Sequence, residues 1–148
     1  MIRAVIFDMD GTLIDTEKYY RIFWPKAVEA YGYTMTDEQA LTMRSLGRPF
    51  APRQLGDWYG EEFDYYAVRN KRKELMEEAL DRDGIKCKPG AVELLKDLKK
   101  RHITTAVATA TDLERTEKYL TLTGIRSYFE KLICATMVEQ GKPAPDIY

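Results

Sequence analysis

The stretch AVIFDMDGTLIDTE, residues 4–17, joins a short apolar run to a cluster of acidic side chains. The apolar run predicts a strand over residues 3–8 that is buried on both faces of a parallel sheet. Asp8 and Asp10 fall at the carboxyl end of this strand, where open parallel sheets collect their reactive groups. Residues two apart on an extended chain point to the same side, so both carboxylates can face one ligand.

The next two residues, Gly11 and Thr12, extend the same candidate site. Gly11 lets the backbone turn sharply and approach a ligand closely. Two carboxylates, a tight turn and a hydroxyl together suit a hard cation and a phosphate. The alternative, a solvent-exposed acidic loop without a binding role, does not explain this order of residues directly after an apolar strand. We therefore predict that Asp8 and Asp10 face a metal ion and that Gly11 and Thr12 contact a phosphorylated substrate.

Residues 16–85 are predicted to form an all-helical segment. Apolar residues recur there at three- and four-residue spacings, which is typical of amphipathic helices. Pro25 predicts a kink or a break in the first helix. Residues 36–39, TDEQ, have the form of a capping box that opens the next helix, and a loop containing Pro49 and Pro52 is expected after it.

Beyond Asp83-Gly84, which reads as a turn, helical and extended patterns alternate. They predict, in order, a helix after Pro89, a strand over residues 103–109, a helix capped by Asp112, and a strand over residues 132–136. This order indicates an α/β fold with a parallel sheet, interrupted after its first strand by a helical insert. The predicted domains are a core of residues 1–15 and 86–148 and an insert of residues 16–85.

Composition limits the classes of partner. The 148 residues suffice for one ordinary domain, or for a small core with an insert. Lys and Arg number 23 against 24 Asp and Glu, so no global field favours nucleic acid or an anionic membrane, and neither is predicted as a partner. The basic run RNKRKE, residues 69–74, is predicted to be a solvated helical face because Glu77 and Glu78 follow it.

The cellular compartment is predicted from the lack of long apolar runs and of cysteine patterns. No apolar run reaches the length of a signal peptide or a membrane-spanning helix, which predicts a cytoplasmic protein. Cys87 and Cys134 lie far apart and fit neither a disulfide framework nor a zinc pattern. They are predicted to be two reduced thiols.

Residues 8–17, DMDGTLIDTE, resemble motif I of the haloacid dehalogenase (HAD) superfamily, in its phosphatase and phosphomutase branch. Three further segments are similar to that family in the same order: Pro89-Gly90, the strand end AVATATD at Thr109, and GKPAPDIY around Lys142. The resemblance implies a HAD-type Rossmann-like core with an inserted helical cap of the C1 type. Thr111 is the second candidate for the role that the resemblance gives to Thr109.

The resemblance also implies a mechanism. Asp8 would be the nucleophile that forms an aspartyl-phosphate, and Asp10 would protonate the leaving oxygen and later activate water. Thr109 and Lys142 would hold the phosphoryl oxygens. Mg²⁺ would bridge the Asp8 carboxylate, the Asp10 carbonyl and a small phosphorylated metabolite. Dehalogenases of the superfamily lack an aspartate at the position of Asp10, so dehalogenation is not expected.

Two departures from the family pattern leave alternatives open. Sugar phosphomutases of this branch often carry a cap histidine shortly after motif I, whereas this chain has only His102, so hydrolysis is favoured over a phosphomutase. Relatives continue to a fourth strand whose acids complete the metal site, and this chain ends at Tyr148. We therefore expect an incomplete core with its C-terminal strands missing and an exposed sheet edge available for self-association. A catalytically inactive, phosphate-binding remnant is the third alternative.

Specificity is expected to lie in the cap, because the resemblance implies that this domain contacts the leaving group. Three arginines near the predicted loop could either face the substrate or be ordinary surface residues, and they are not assigned to the site: Arg44, Arg48 and Arg53.

Overall fold

The fold is described by a computed structural model that covers residues 2–44, 46–47 and 50–148, with residue 44 described for its backbone alone. Of the candidate arginines, Arg48 and the side chain of Arg44 lie outside the described residues, and Arg53 is exposed. The strands and α-helices are β1 (Ala4–Phe7), α1 (Glu17–Glu29), α2 (Asp37–Arg44), α3 (Phe50–Tyr59), α4 (Tyr65–Asp83), α5 (Ala91–Lys100), β2 (Thr104–Thr109), α6 (Leu113–Leu122) and β3 (Lys131–Cys134).

The chain divides into two compact units. One is formed by Met1–Thr16 together with Ile85–Tyr148, and the other by Glu17–Gly84. The first unit carries all three strands with α5 and α6, and the second carries α1 to α4. Within the described residues, no helix combines the length and apolar character that crossing a membrane requires.

The three strands of the first unit form a parallel sheet in the order β1-β2-β3. In this register Phe7 pairs with Val107 and Thr109 pairs with Cys134. Because all strands run the same way, the residues after Phe7 and the residues after Thr109 emerge at the same edge of the sheet. The helices α5 and α6 make the crossovers that parallel strands require, which confirms the predicted α/β class.

Strand β1 is less buried than its sequence predicts. Ile6 is 50% exposed, whereas Phe7 is buried and packs edge-to-face on Phe129 with ring centroids 6.1 Å apart. The prediction of burial on both faces was therefore wrong. Among the described residues β1 pairs only with β2, so it is an edge strand, and only one of its faces is covered.

The helical unit has an aromatic and aliphatic core of its own, which includes Trp24, Val28, Met43, Leu55 and Val68. The predicted capping box at the start of α2 is confirmed. The Thr36 amide donates to Gln39 Oε1 at 2.8 Å, and the Gln39 amide donates to Thr36 Oγ1 at 3.2 Å.

The predicted break at Pro25 and the predicted loop at Pro52 were wrong. Helix α1 is continuous through Pro25, and Trp24 and Ala27 on either side of it are buried. A kink at Pro25 stays a prediction. Pro52 lies within the first turn of α3 and not in a loop. The first turn of a helix tolerates proline because its N–H groups have no partner inside the helix. Pro49 lies outside the described residues.

The basic run of residues 69–74 is not a fully solvated face. Arg72 is only 4% exposed, and its guanidinium lies over the rings of Tyr20 at 4.6 Å and Trp24 at 4.9 Å. Stacking on aromatic faces lets a guanidinium enter an apolar interior. The prediction of a solvated face was therefore wrong for this residue.

Candidate active site

Asp8 directly follows β1, and a lysine distant in sequence reaches it. Lys142 Nζ donates to Asp8 Oδ1 at 2.6 Å and to the Ala108 carbonyl on β2 at 2.8 Å. The Asp8 side chain keeps 44% of its surface exposed, and that of Lys142 keeps 26%. The predicted nucleophile and one predicted phosphate ligand thus lie together at the carboxyl edge of the sheet, with solvent access to the carboxylate.

Asp10 lies in a different environment from Asp8. Thr16 Oγ1 donates to Asp10 Oδ1 at 2.5 Å, and Thr111 Oγ1 donates to Asp10 Oδ2 at 2.8 Å. Both hydroxyl residues are buried, with 0% and 6% of their surface exposed. The carboxyl group is consequently held at both oxygens by neutral donors.

The predicted phosphate ligand Thr109 is fully buried at the end of β2. Its hydroxyl accepts from the Thr111 amide at 3.1 Å and lies 3.5 Å from Asp10 Oδ2. The structure therefore brings Thr109, Asp8, Asp10 and Lys142 to one region. It also gives Thr111, the second candidate at this strand end, the shorter contact with Asp10.

The predicted substrate residues Gly11 and Thr12 form a tight turn after Asp10. Gly11 has φ +78°, a left-handed conformation that glycine adopts without strain, and its amide donates to the Ile14 carbonyl at 2.9 Å. The Thr12 amide donates to the Met9 carbonyl at 3.3 Å, and Thr12 is exposed. This turn is what brings Thr16 back to the Asp10 carboxyl, six residues along the chain.

Burial raises the pKa of the Asp10 carboxyl above its usual value, and the charge of Asp8 adds to this rise. Hydrogen bonds from Thr16 and Thr111, and the positive charge of Arg115, act in the opposite direction without cancelling it. A carboxyl group with a raised pKa keeps its proton more readily at neutral pH. This is the property that a general acid needs.

The oxygen atoms at this edge of the sheet are of the chemical type that magnesium prefers as ligands. Asp8 offers a partly exposed carboxylate, which is the hard ligand that Mg²⁺ prefers. The Asp10 carboxyl accepts from two hydroxyls. The role that the resemblance gives to its backbone carbonyl as a metal ligand stays a prediction. In the described part of the chain, no three His, Cys, Asp or Glu side chains gather closely enough to hold a metal ion by themselves.

Three residues around Asp10 received no role in the sequence analysis or only a secondary one. Thr16 and Thr111 bond its carboxyl, and Arg115 contributes charge from the first turn of α6. The predicted N-cap of α6 is confirmed, since Asp112 Oδ1 accepts from the Arg115 amide at 3.1 Å. Hydroxyl residues close to an acidic turn are a usable signal, but which carboxyl oxygen each hydroxyl reaches depends on the tertiary fold.

Comparisons with known proteins place this chain in a family. Residues 5–148 match the model of the haloacid dehalogenase-like hydrolases. A phosphorylated carbohydrates phosphatase of Thermotoga maritima is 30% identical over 151 residues, which cover 99% of this chain and 68% of that protein. A fructose-1-phosphate phosphatase of Escherichia coli is 27% identical, over 98% of this chain and 76% of that protein. These relatives support a phosphoric monoester hydrolase.

A solved structure has the same fold as this chain. The crystal structure of CbbY from Rhodobacter sphaeroides in complex with phosphate has a TM-score of 0.80 and 25% identity, and the match covers 100% of this chain and 70% of that one. The chain thus spans about two thirds to three quarters of the length of these relatives. It belongs to the haloacid dehalogenase-like hydrolase family, in the branch that contains phosphatases and phosphomutases.

Proposed function

We propose that this protein is a magnesium-dependent phosphatase that hydrolyses a small phosphorylated metabolite through an aspartyl-phosphate. The observation that carries the proposal is the different environment of two carboxylates only two residues apart. Asp8 is exposed beside a lysine ammonium, whereas Asp10 is held by buried hydroxyls and has a raised pKa. Such a pair suits a nucleophile and a general acid, respectively.

In the first step, an Asp8 carboxylate oxygen attacks phosphorus while the ester P–O bond breaks. Asp10 gives its proton to the leaving oxygen, which departs as an alcohol. Lys142 lies 2.6 Å from Asp8, so its ammonium is placed to offset negative charge on the phosphoryl oxygens as the bonds change. We assign the Thr109 hydroxyl the same task from the end of β2.

In the second step, Asp10 has become a carboxylate and takes a proton from water. That water attacks phosphorus, the bond to Asp8 breaks, and inorganic phosphate leaves with both carboxyl groups restored to their starting states. The hydroxyls of Thr16 and Thr111 suit both steps because they bond a carboxyl in either protonation state.

Magnesium would be held by the Asp8 carboxylate and the Asp10 carbonyl, and when bound it supplies positive charge to the phosphate. Gly11 and Thr12 are proposed to contact the substrate at the adjoining turn. We propose further that the helical unit Glu17–Gly84 is the cap domain that selects the leaving group. A cytoplasmic location, the exclusion of nucleic acid and membrane as partners, and self-association through the edge of β1 stay predictions.

A sugar phosphomutase is less well supported. The only histidine of the sequence, His102, precedes β2, whereas the candidate site lies after the other end of that strand. Six residues of strand span roughly 20 Å, which is too far for a proton relay to Asp10. Incubation with either of two isomeric sugar phosphates, followed by ³¹P NMR, separates isomer interconversion from release of inorganic phosphate.

The experiment that tests the proposal is hydrolysis of p-nitrophenyl phosphate with magnesium and with excess EDTA. We expect phosphate release that depends on magnesium and that Asp8→Asn reduces to the background rate. The matched control is Asp97→Asn, which removes an exposed carboxylate on α5 that pairs with Arg101 at 2.8 Å. This control should hydrolyse the ester at the wild-type rate.

Two results would contradict the proposal. Activity that survives Asp8→Asn would exclude Asp8 as the nucleophile. A folded wild-type protein that binds inorganic phosphate but releases none from an ester would favour the phosphate-binding remnant. Acid quenching during turnover adds a direct check, because an aspartyl-phosphate should be recovered on a peptide that contains Asp8 and should be absent from Asp8→Asn.

A further inference from the structure

The Asp10 carboxyl is held from two separate parts of the chain. Thr16 approaches Oδ1 from six residues away, and Thr111 approaches Oδ2 from 101 residues away. The Thr109 hydroxyl, to which the resemblance assigns the strand-end role, lies 3.5 Å from the same Oδ2. That distance is too long for a firm hydroxyl bond, so Thr111 holds this oxygen.

Thr111 is itself held in place by rigid elements on both sides. Its amide donates to Thr109 Oγ1 at 3.1 Å at the end of β2. The next residue, Asp112, caps α6 through its contact with the Arg115 amide. Only 6% of the Thr111 surface is exposed. The position of its hydroxyl is thus set by the end of a strand and the start of a helix, and not by a mobile loop.

We propose that Thr111 is a positioning residue that orients the Asp10 carboxyl for proton transfer to the leaving oxygen, an inference that rests on the proposed phosphatase function. Proton transfer requires the acid to lie within hydrogen-bond reach of the leaving oxygen. Without the Thr111 hydroxyl, Thr16 still holds Oδ1, but among the described residues Oδ2 keeps only the long contact with Thr109. The carboxyl is then less firmly oriented. Thr109 remains free to serve the phosphoryl oxygens, which separates the tasks of the two threonines.

The test compares two substrates that differ in their need for an acid. An alkyl phosphate such as glycerol phosphate loses a strongly basic alkoxide and requires protonation, whereas p-nitrophenyl phosphate loses a stable phenolate. Thr111→Val removes the hydroxyl but keeps the side-chain shape and the amide that bonds Thr109. We expect kcat/KM for the alkyl ester to fall by ~10-fold or more and kcat/KM for the aryl ester to fall by less than ~3-fold.

The ratio of the two kcat/KM values is the decisive quantity. Because kcat/KM reports the first irreversible step, it contains leaving-group departure but not the later attack of water. Both substrates are assayed on one preparation, so the ratio does not depend on the fraction of protein that is correctly folded. A variant that is merely destabilised therefore leaves the ratio unchanged.

Two further variants bound the interpretation. Thr111→Ser keeps the hydroxyl, and it should restore the wild-type ratio. Thr105→Val is the matched control, because Thr105 is a buried threonine of β2 whose hydroxyl donates to the Tyr128 carbonyl at 2.5 Å, away from Asp10. It should leave the ratio at the wild-type value. If Thr111→Val does not fold, Thr111→Ala gives the same comparison without a branched side chain.

The outcomes separate this inference from the function on which it rests. An unchanged ratio in Thr111→Val, or a failure of Thr111→Ser to restore it, overturns the positioning role while phosphatase activity stands. A folded wild-type protein that hydrolyses neither ester overturns the proposed function, and the positioning role with it. A ratio that shifts only in the variants that lack the hydroxyl supports both.

Discussion

Replacement of Lys142 by methionine should remove most of the activity while changing stability little. Methionine keeps the length and apolar stem of the side chain but not its charge. The pair with Asp8 is partly exposed on both sides, so its loss should cost about 1 kcal/mol or less of folding free energy. The lost hydrogen bond to the Ala108 carbonyl should add about 1 kcal/mol.

The effect on catalysis should be larger, because under the proposed function the ammonium lies where phosphoryl charge would develop. Removing one such donor typically lowers kcat by about 100- to 1,000-fold. The assay is kcat for p-nitrophenyl phosphate at saturating substrate, with urea unfolding measured on the same preparation. Lys100→Met, which removes an exposed lysine at the end of α5, is the control. A folded Lys142→Met that keeps kcat within ~3-fold of the wild type would refute this account of Lys142.

Three further predictions concern stability and are checked by urea unfolding. Since the pKa of Asp10 is raised, the folded state retains a proton that the unfolded state releases, so the contribution of Asp10 to wild-type stability falls as the pH rises from the usual carboxyl value of 3.8 through the raised one. Asp10→Asn should abolish this fall and be the more stable protein at neutral pH, and parallel pH profiles would contradict it. Thr36→Ala should cost about 1 kcal/mol by removing the capping box. The control is Thr42→Ala, because the Thr42 hydroxyl donates to the Glu38 carbonyl within α2 and not to the cap; equal unfolding midpoints of the two variants would contradict the prediction. Leu55→Ala should cost about 2–5 kcal/mol, because Leu55 is fully buried in the core of the helical unit, and a smaller loss would mean that the core collapses around the cavity.

The sequence was sufficient to predict the edge of the sheet at which the candidate site lies. Asp8 and Asp10 follow an apolar strand, and Thr109 ends a second one, so a parallel arrangement brings them to one edge. The bond between Lys142 and Asp8 spans 134 residues and was not predicted. Only the resemblance to a family indicated that Lys142 belongs to the phosphate site. The division between Thr109 and Thr111 was beyond prediction, because the direction of a hydroxyl after a strand end depends on how the chain turns into the next helix.

The burial of Arg72 was predictable from periodicity but not from charge. Val68 and Met76 lie four residues before and after it, and both are buried, so all three share one face of α4. A count of charges along residues 69–74 treats these positions alike and predicts that every side chain is exposed to solvent. The exposure of Ile6 has a different origin, since apolar composition cannot distinguish a strand that is covered on both faces from one that is covered on a single face.

The two carboxylates of the opening motif acquire different chemistry from the direction in which the chain turns. Asp8 follows the extended segment, and its carboxylate contacts the Lys142 ammonium and solvent. Gly11 then reverses the backbone, and the returning segment places the Thr16 hydroxyl on Asp10. Because the Asp10 carboxyl is removed from water and bonded by neutral donors, its pKa is higher than that of a solvated acid. Under the proposed function, one glycine turn would let a single residue type serve as nucleophile at one position and as general acid two positions later.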